Sequence, residues 1–308
     1  EIYTLSLHDA LPISIAEVVA VGVLLGIVGA LAIVGKRVFF SESLSHGTFP
    51  GAVLGVVIGQ FMGASSSSLS LWLFVGAALF CIPLAWLMRY LASLEGISPT
   101  AAAGIVLTVG YALGVFLLRW FQPLPLKVEG FLTGSLLAVS HTDVLSAAAI
   151  LVLAVIALVT CGRRLAFYYF DPIAFRVAVR NSRWWLALME GITLGLLCAS
   201  MVVAIPAVGS ILSIAILVAP AAGVQVFARN FAGLILWSGV AGVGIGITGL
   251  LLAVWQSLSA GGMVAVVAGL FYLGCRSLGW ILCMSWTTPR KPKITSNAFG
   301  ISSNEPVS

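Results

Sequence analysis

Two side chains that can bind a metal ion lie four residues apart in a very apolar stretch of the chain. Glu42 supplies a carboxylate and His46 an imidazole, within the run VFFSESLSHGTFPG at residues 38–51. Residues four apart share one face of a helix, so both groups can reach the same ion. Carboxylate and neutral imidazole suit Zn²⁺, Mn²⁺ and Fe²⁺, and two ligands favour transient binding over a closed structural site. The competing interpretation is a glutamate at a helix start and a histidine bonded to neighbouring backbone.

The composition around this pair indicates a membrane setting. Hydrophobic residues make up 61% of the chain and charged residues 8%, and the mean hydropathy is +1.15. Ionisable side chains at membrane depth are costly, so Glu42 and His46 suggest a function there. The formal net charge of +5 does not indicate nucleic-acid binding, because the basic residues are sparse and flank the apolar runs.

The apolar runs predict an all-α polytopic membrane protein, a bundle of about eight to nine transmembrane helices with a short cytoplasmic helix. The segments lie near 15–35, 44–62, 69–88, 100–119, 143–161, 184–205, 208–228, 231–255 and 262–284. If the first segment enters from outside, most basic loop residues become cytoplasmic, as the positive-inside rule requires. These are Lys36, Arg37, Arg89, Arg163, Arg164, Arg176, Arg180, Arg183 and Arg229, with three more in the tail.

The two ends of the chain differ from the middle. Residues 1–14, EIYTLSLHDALPIS, resemble translated sequencing-adapter sequence and lack a signal-peptide pattern, so we expect a non-native leader and exclude His8 and Asp9 from the site. Residues 15–286 form the predicted transmembrane domain, and the polar tail at 287–308 is predicted to be disordered and cytoplasmic. The five cysteines are scattered, without a C-x-x-C pair, which is typical of apolar filler positions.

Small residues and a proline surround the Glu42–His46 pair. Pro50 lies four residues after His46, so we expect the helix to be interrupted there and to free carbonyls toward a polar path or a bound cation. Glycines at every fourth position predict a ridge that another helix can approach closely. They are Gly47, Gly51, Gly55 and Gly59, and the spacing recurs at Gly191 with Gly195 and at Gly242 with Gly246.

Three further acidic or basic positions are candidates. His141 and Asp143 lie in the run SHTD at residues 140–143, where they either begin a helix or form an accessory site for an arriving cation at the outer mouth. Glu190 follows Arg183 by about two helical turns. It either pairs with a basic neighbour or lines the pathway from the inside.

Residues 170–182 predict a short amphipathic helix on the cytoplasmic side. Asp171 can cap its start, and Pro172 suits the first turn. Arg176 and Arg180 would then lie one turn apart, with Phe175 beside them. Such a helix either rests on lipid headgroups or fits a groove on a soluble partner.

Several catalytic motifs are absent from the sequence. It has no G-x-x-x-x-G-K-[ST] run, so it carries no phosphate-binding loop of its own. It also lacks H-E-x-x-H and G-x-S-x-G, which weakens an assignment as an intramembrane protease or hydrolase.

Several of these runs together resemble the membrane permeases of bacterial ABC-type importers for zinc, manganese and iron. The matching stretches are residues 38–51, GSLLAVSHTD at 134–143, the Phe-Asp-Pro run at 170–172, Val-Gly at 208–209 and LVAPAA at 217–222. They occur in family order and cover about residues 20–285. The family usually has Asp in the position of Glu42, which is one methylene longer.

The resemblance implies a transport subunit that is not an enzyme. It implies Glu42 and His46 as pathway ligands, a coupling role for residues 171–182, and a homodimer or paired permease with ions passing at the interface. A separate cytoplasmic ATPase and an extracytoplasmic metal-binding protein are the implied partners, in the bacterial cytoplasmic membrane. The divalent metal is cargo, with no permanently bound cofactor.

Two alternatives to this assignment remain open. One is a permease for a metal chelate such as haem or a siderophore, which needs a wide, aromatic-lined path. The other is a stand-alone secondary carrier, which predicts inverted repeats and more acidic relay residues, neither of which the sequence has. The sequence does not choose among zinc, manganese and iron, because all three accept the same ligand types.

Overall fold

The computed structural model describes residues 2–64, 66–124, 141–179, 182–256 and 258–286. Within these ranges the chain consists of helices joined by short turns. Arg180, the tail at 287–308 and residues 134–140 of the run GSLLAVSHTD lie outside the described residues, so the predictions made for them stay predictions.

The helices follow the apolar segments of the sequence. They are α1 (Ile2–Val34), α2 (Val38–Gly47), α3 (Phe49–Phe61), α4 (Ser66–Ala92), α5 (Pro99–Trp120), α6 (His141–Phe170), α7 (Pro172–Ala178), α8 (Ser182–Val208), α9 (Ser210–Gln225), α10 (Phe231–Gln256) and α11 (Ala260–Trp286).

The predicted polytopic helical fold is confirmed, with a slightly different count of spans. In the described part of the chain, seven helices have the length and hydropathy to cross a membrane. The other two predicted segments correspond to the α2–α3 pair and to α9, which has 16 residues. The segment predicted near 143–161 continues to Phe170, so Arg163 and Arg164 lie in the last turns of α6. Helix α1 passes through Pro12 without ending, and the predicted leader at 1–14 stays a prediction.

Helix α1 lies at the centre of the bundle and packs closely on α10. A Cβ added to Gly26 would lie only 2.8 Å from the carbonyl carbon of Ser238 and 2.9 Å from the Cα of Gly239. Lipid tails are as apolar as leucine side chains, so close backbone packing is what favours one helix pairing over another in a membrane. The missing side chain at Gly26 therefore lets the backbones of α1 and α10 come into direct contact.

The predicted glycine ridge is confirmed on α2 and α3. A Cβ added to Gly51 would lie 2.6 Å from the carbonyl oxygen of Gly76 on α4, and Gly47 faces Gly110 of α5 at a similarly short separation. Gly191 and Gly195 behave differently, since a Cβ on either would meet no atom within 4 Å. Instead they line a groove of about 820 Å³ between α4 and α8.

Candidate metal-binding site

A short helix carries the predicted metal ligands. Helix α2 follows a tight turn in which Lys36 has a φ of 55°, and it ends at Gly47. Pro50 lies in the first turn of α3, where its missing N–H leaves no bond unmade. The break that Pro50 predicts therefore falls just before the proline, at Thr48. The N–H of Thr48 donates to the carbonyls of Leu44 and His46. Helix α2 therefore ends directly after the turn that carries Glu42 and His46.

Burial on α2 separates the two candidate ligands from the serines of the same helix. Its three serines are buried, and each hydroxyl donates to a backbone carbonyl. Ser43 also bonds to another helix, since its Oγ lies 2.7 Å from the carbonyl oxygen of Ala103 on α5. Glu42 and His46 are only half-buried. The predicted shared face is thus the side of α2 that the bundle leaves accessible.

The imidazole of His46 also contacts an aromatic ring that the sequence did not single out. Tyr111 of α5 meets it edge to face, with ring centroids 5.9 Å apart. Tyr111 in turn stacks on Phe49 at 6.2 Å and remains 45% exposed. The phenol therefore lies beside the ligand face and limits the orientations that the imidazole can take. No sequence pattern links positions 46 and 111, because they lie on different helices.

One chain supplies few protein ligands at this site. The described residues contain no group of three or more His, Cys, Asp or Glu side chains close enough to share an ion. Glu42 and His46 thus form a two-ligand pair, which suits transient binding. Beyond this pair, the described residues offer no third His, Cys, Asp or Glu side chain for the same ion, so further ligands come from elsewhere.

The second candidate pair lies at the start of α6. Asp143 is half-buried in the first turn of that helix, where its charge is favourable, and its backbone carbonyl accepts a hydrogen bond from Ser146 Oγ at 2.8 Å. The side chain of His141 lies outside the described residues. In the described part of the chain, Asp143 joins no ligand cluster with Glu42 and His46.

Helix α7 begins as its sequence predicts, but it ends at Ala178 instead of continuing to 182, because Val179 has an extended backbone with a ψ of 116°. The Asp171 carboxylate accepts a hydrogen bond from the N–H of Ala174 at 2.9 Å, and Pro172 occupies the first turn. Phe175 is 1% exposed and lies against the rings of Phe167 and Tyr168, at centroid distances of 5.4 and 5.9 Å. Phe175 therefore anchors α7 to α6, while Arg176 points outward as an exposed residue.

The outer face of α7 shows two apolar residues that the sequence analysis missed. Ile173 is 77% exposed and Val177 is 85% exposed. They lie four residues apart, so they form one apolar stripe on a helix outside the membrane-spanning segments. The sequence spacing could have predicted this stripe, because a helix that buries Phe175 must turn Ile173 and Val177 to its opposite, exposed face.

Glu190 joins three helices through ion pairs. One carboxylate oxygen lies 2.7 Å from Arg37 Nη2, at the start of α2, and the other lies 3.3 Å from Arg89 Nη1, near the end of α4. Glu190 itself is on α8. The prediction that Glu190 pairs with a basic neighbour is confirmed. Its partners are 153 and 101 positions away, counting from 37 and 89 to 190, so local sequence could not identify them.

A bundle of seven long apolar helices in the described part of the chain defines a polytopic membrane protein. The chain belongs to the ABC 3 transport family, whose model matches residues 8–278. This is a family of transport permeases rather than enzymes, and the chain is a multi-pass protein of the bacterial plasma membrane.

Curated relatives and a solved structure resemble most of the chain. It is 25% identical over 262 residues to the manganese transport system membrane protein MntC of Halalkalibacterium halodurans, covering 84% of each chain. It is 26% identical over 274 residues to the manganese transport system membrane protein MntD of Bacillus subtilis, covering 84% of this chain and 88% of that one. The fold is similar to PsaBC from Streptococcus pneumoniae in complex with Fab, with a TM-score of 0.72, 23% identity and coverage of 85% and 89%.

Proposed function

We propose that this chain is the membrane-spanning permease of an ATP-driven importer for a divalent metal ion, with manganese as the cargo. The observation that carries the proposal is the accessible face of α2, on which Glu42 and His46 are the half-buried polar side chains. Membership of the ABC 3 transport family supports the transport role, and the names of the manganese relatives support the choice of metal.

The ligand chemistry suits an ion that must bind and then leave. A carboxylate and an imidazole accept Mn²⁺, and two protein ligands leave most of its coordination positions to water. In a dimer, a second copy supplies the same pair, so two carboxylates and two imidazoles surround an ion at the interface. The half-exposure of Glu42 and His46 in a single chain leaves room for that arrangement.

Energy and delivery come from other proteins in this proposal. The chain has no phosphate-binding loop, so a separate cytoplasmic ATPase hydrolyses ATP. The apolar stripe of Ile173 and Val177 on α7 is a surface that such a partner can cover. An extracytoplasmic metal-binding protein delivers the ion to the opposite side, near the start of α6. The ion then pauses at Glu42 and His46 and leaves toward the cytoplasm when the ATPase drives the bundle to rearrange.

Cellular metal content tests this function. Bacteria that lack their own manganese importers would express the chain with its ATPase and binding protein, and manganese, zinc and iron would be measured together by mass spectrometry. We expect manganese to accumulate, and accumulation to fall roughly tenfold or more in His46→Ala and Glu42→Gln. Glu42→Asp should keep transport, because it keeps the carboxylate.

A matched control separates loss of a ligand from loss of a charge. Glu95 is an exposed carboxylate in the turn between α4 and α5, so Glu95→Gln removes the same charge away from the α2 face and should transport normally. Normal accumulation in His46→Ala, at equal membrane expression, would refute the site. No accumulation of any metal by the unmodified chain, with both partners present, would refute the function.

A further inference from the structure

The cytoplasmic ends of three helices meet at a single carboxylate. Glu190 of α8 accepts a hydrogen bond from Arg37, which precedes α2, and forms a longer ion pair with Arg89, near the end of α4. In the described part of the chain these are the two side-chain ion pairs between helices that the geometry shows. In a chain with only 8% charged residues, the convergence of three charges on one position calls for a functional explanation.

The Arg37–Glu190 pair lies at the boundary of two cavities. One, of about 350 Å³, lies toward α7 and includes Lys36, Tyr168 and Arg176 in its lining. The other, of about 480 Å³, lies toward α4 and α5 and includes Phe40 and Arg89. Four residues line both cavities: Gly35, Lys36, Arg37 and Glu190. Breaking the Arg37–Glu190 pair would therefore change the boundary between the two spaces.

The pair is positioned to separate as well as to close. The side chains of Arg37, Glu190 and Arg89 are 33%, 20% and 54% exposed. Water can reach all three groups, so each charge is solvated after the pair opens and no charge is left buried without a partner. Ion pairs between such exposed charges contribute little to the free energy of unfolding, so stability alone does not explain these two pairs.

The same residues connect the metal-binding face with the coupling helix. Arg37 is five positions before Glu42, which places it about 7.5 Å from Glu42 along the axis of α2. On the other side, Pro172 and Arg176 of α7 line the cavity that Arg37 and Glu190 share. A displacement of α7 therefore changes the surroundings of the pair directly, and a displacement of Arg37 moves the start of α2.

We infer that Arg37, Glu190 and Arg89 form the cytoplasmic gate of the ion path, with Glu190 as the residue that holds it closed. This rests on the proposed function, because it takes the face of Glu42 and His46 as the path. While the gate is closed, Glu190 neutralises two guanidinium groups that would otherwise repel a cation. When α7 moves and the pairs break, the Glu190 carboxylate becomes available to attract the departing ion, and the arginines turn toward water.

Access of a thiol reagent to the path from the cytoplasm tests the gate without any metal. His46→Cys would serve as the reporter in a chain whose five native cysteines are replaced by serine or alanine. Inside-out membrane vesicles holding the assembled transporter would be treated with a membrane-impermeant maleimide, and the labelling rate of the reporter would be measured in the absence of ATP.

We expect Glu190→Gln to raise the labelling rate by roughly tenfold, because it removes the negative charge from both ion pairs that hold the gate. Arg37→Gln should raise it more than Arg89→Gln does, since the Arg89 pair is longer, at 3.3 Å, and more exposed. Glu95→Gln is the matched control and should label like the parent. Arg89→Gln also serves if Glu190→Gln does not fold, because its side chain is half-exposed.

Two results would overturn the gate and are distinguishable from failure of the proposed function. Fast labelling with Glu190 intact, or equal rates in the parent, Glu190→Gln and Arg37→Gln, would show that the ion pairs do not close the path. Absence of labelling from both faces of the membrane in every variant would instead remove His46 from any aqueous path, and would overturn the proposed function together with the gate.

Discussion

Replacing Phe175 by alanine should release α7 from the surface of the bundle. Helix α7 has seven residues, too few for a helix to be stable in water by itself. Its attachment depends on Phe175, which is 1% exposed between Phe167 and Tyr168. The side chains on the outer face of α7 contribute little, since Ile173 and Val177 are largely exposed.

The expected loss can be worked from that burial. A buried phenylalanine removes about 200 Å² from water, and at about 25 cal/mol per Å² this gives an upper value of about 5 kcal/mol. Large-to-small substitutions of buried aromatic residues cost about 3–5 kcal/mol. Because α7 lies at the surface and water can fill the space, we take about 3 kcal/mol. A difference of about 1.4 kcal/mol is tenfold in an equilibrium constant, so the opened form should become about 100-fold more populated.

Hydrogen–deuterium exchange measures that opening directly. Amides of α7 in the purified chain should exchange about 100-fold faster in Phe175→Ala. Ile173→Ala is the matched control, since it removes an apolar side chain of the same helix that is 77% exposed. It should leave exchange unchanged and weaken binding of the ATPase instead. Unchanged exchange in Phe175→Ala would refute the anchoring role of this ring.

Two smaller effects can be measured on the same material. Asp171→Ala removes the carboxylate that accepts a hydrogen bond from the N–H of Ala174. A lost helix cap costs about 1 kcal/mol, so α7 amides should exchange about fivefold faster. Unchanged exchange would mean that water replaces the cap. Gly26→Ala forces α1 away from α10 and should lower the stability in detergent by about 1–3 kcal/mol, measured by thermal unfolding. Gly104→Ala, where a Cβ meets open space, is its control, and equal unfolding temperatures would contradict the packing described for α1.

The helices were predictable because the bilayer imposes a simple rule on the sequence. Apolar length alone located all nine predicted segments, and the glycines at 47 and 51 indicated where helices approach closely. Helix ends were less predictable. The segment near 44–62 is two helices that begin at Val38, and the segment near 143–161 continues to Phe170. Both differences arise because a helix can continue through a few polar residues, such as Ser41 to Ser43 or Arg163 and Arg164, into a further short apolar run.

The candidate site was predictable only as far as it is local. Glu42 and His46 share a helix face by their spacing, and Asp171 with Pro172 is a helix start by its chemistry. The contact of His46 with Tyr111 and the pairing of Glu190 with Arg37 join distant parts of the chain. Such contacts depend on which helices pack against each other and at what angle, and the hydropathy of the sequence does not predict either.

The length of α2 determines how much of the membrane voltage acts on an ion at the candidate site. Ten residues rise about 15 Å, about half of the hydrocarbon thickness of a bilayer, from Arg37 at the cytoplasmic end to the break after His46. A divalent ion held there has crossed about half of the membrane voltage. At about 2.3 kcal/mol per charge for each 100 mV, an inside-negative potential of that size favours its arrival by about 2.3 kcal/mol, some fiftyfold in occupancy. In the proposed transport cycle, loading of Glu42 and His46 from outside should therefore depend on membrane potential.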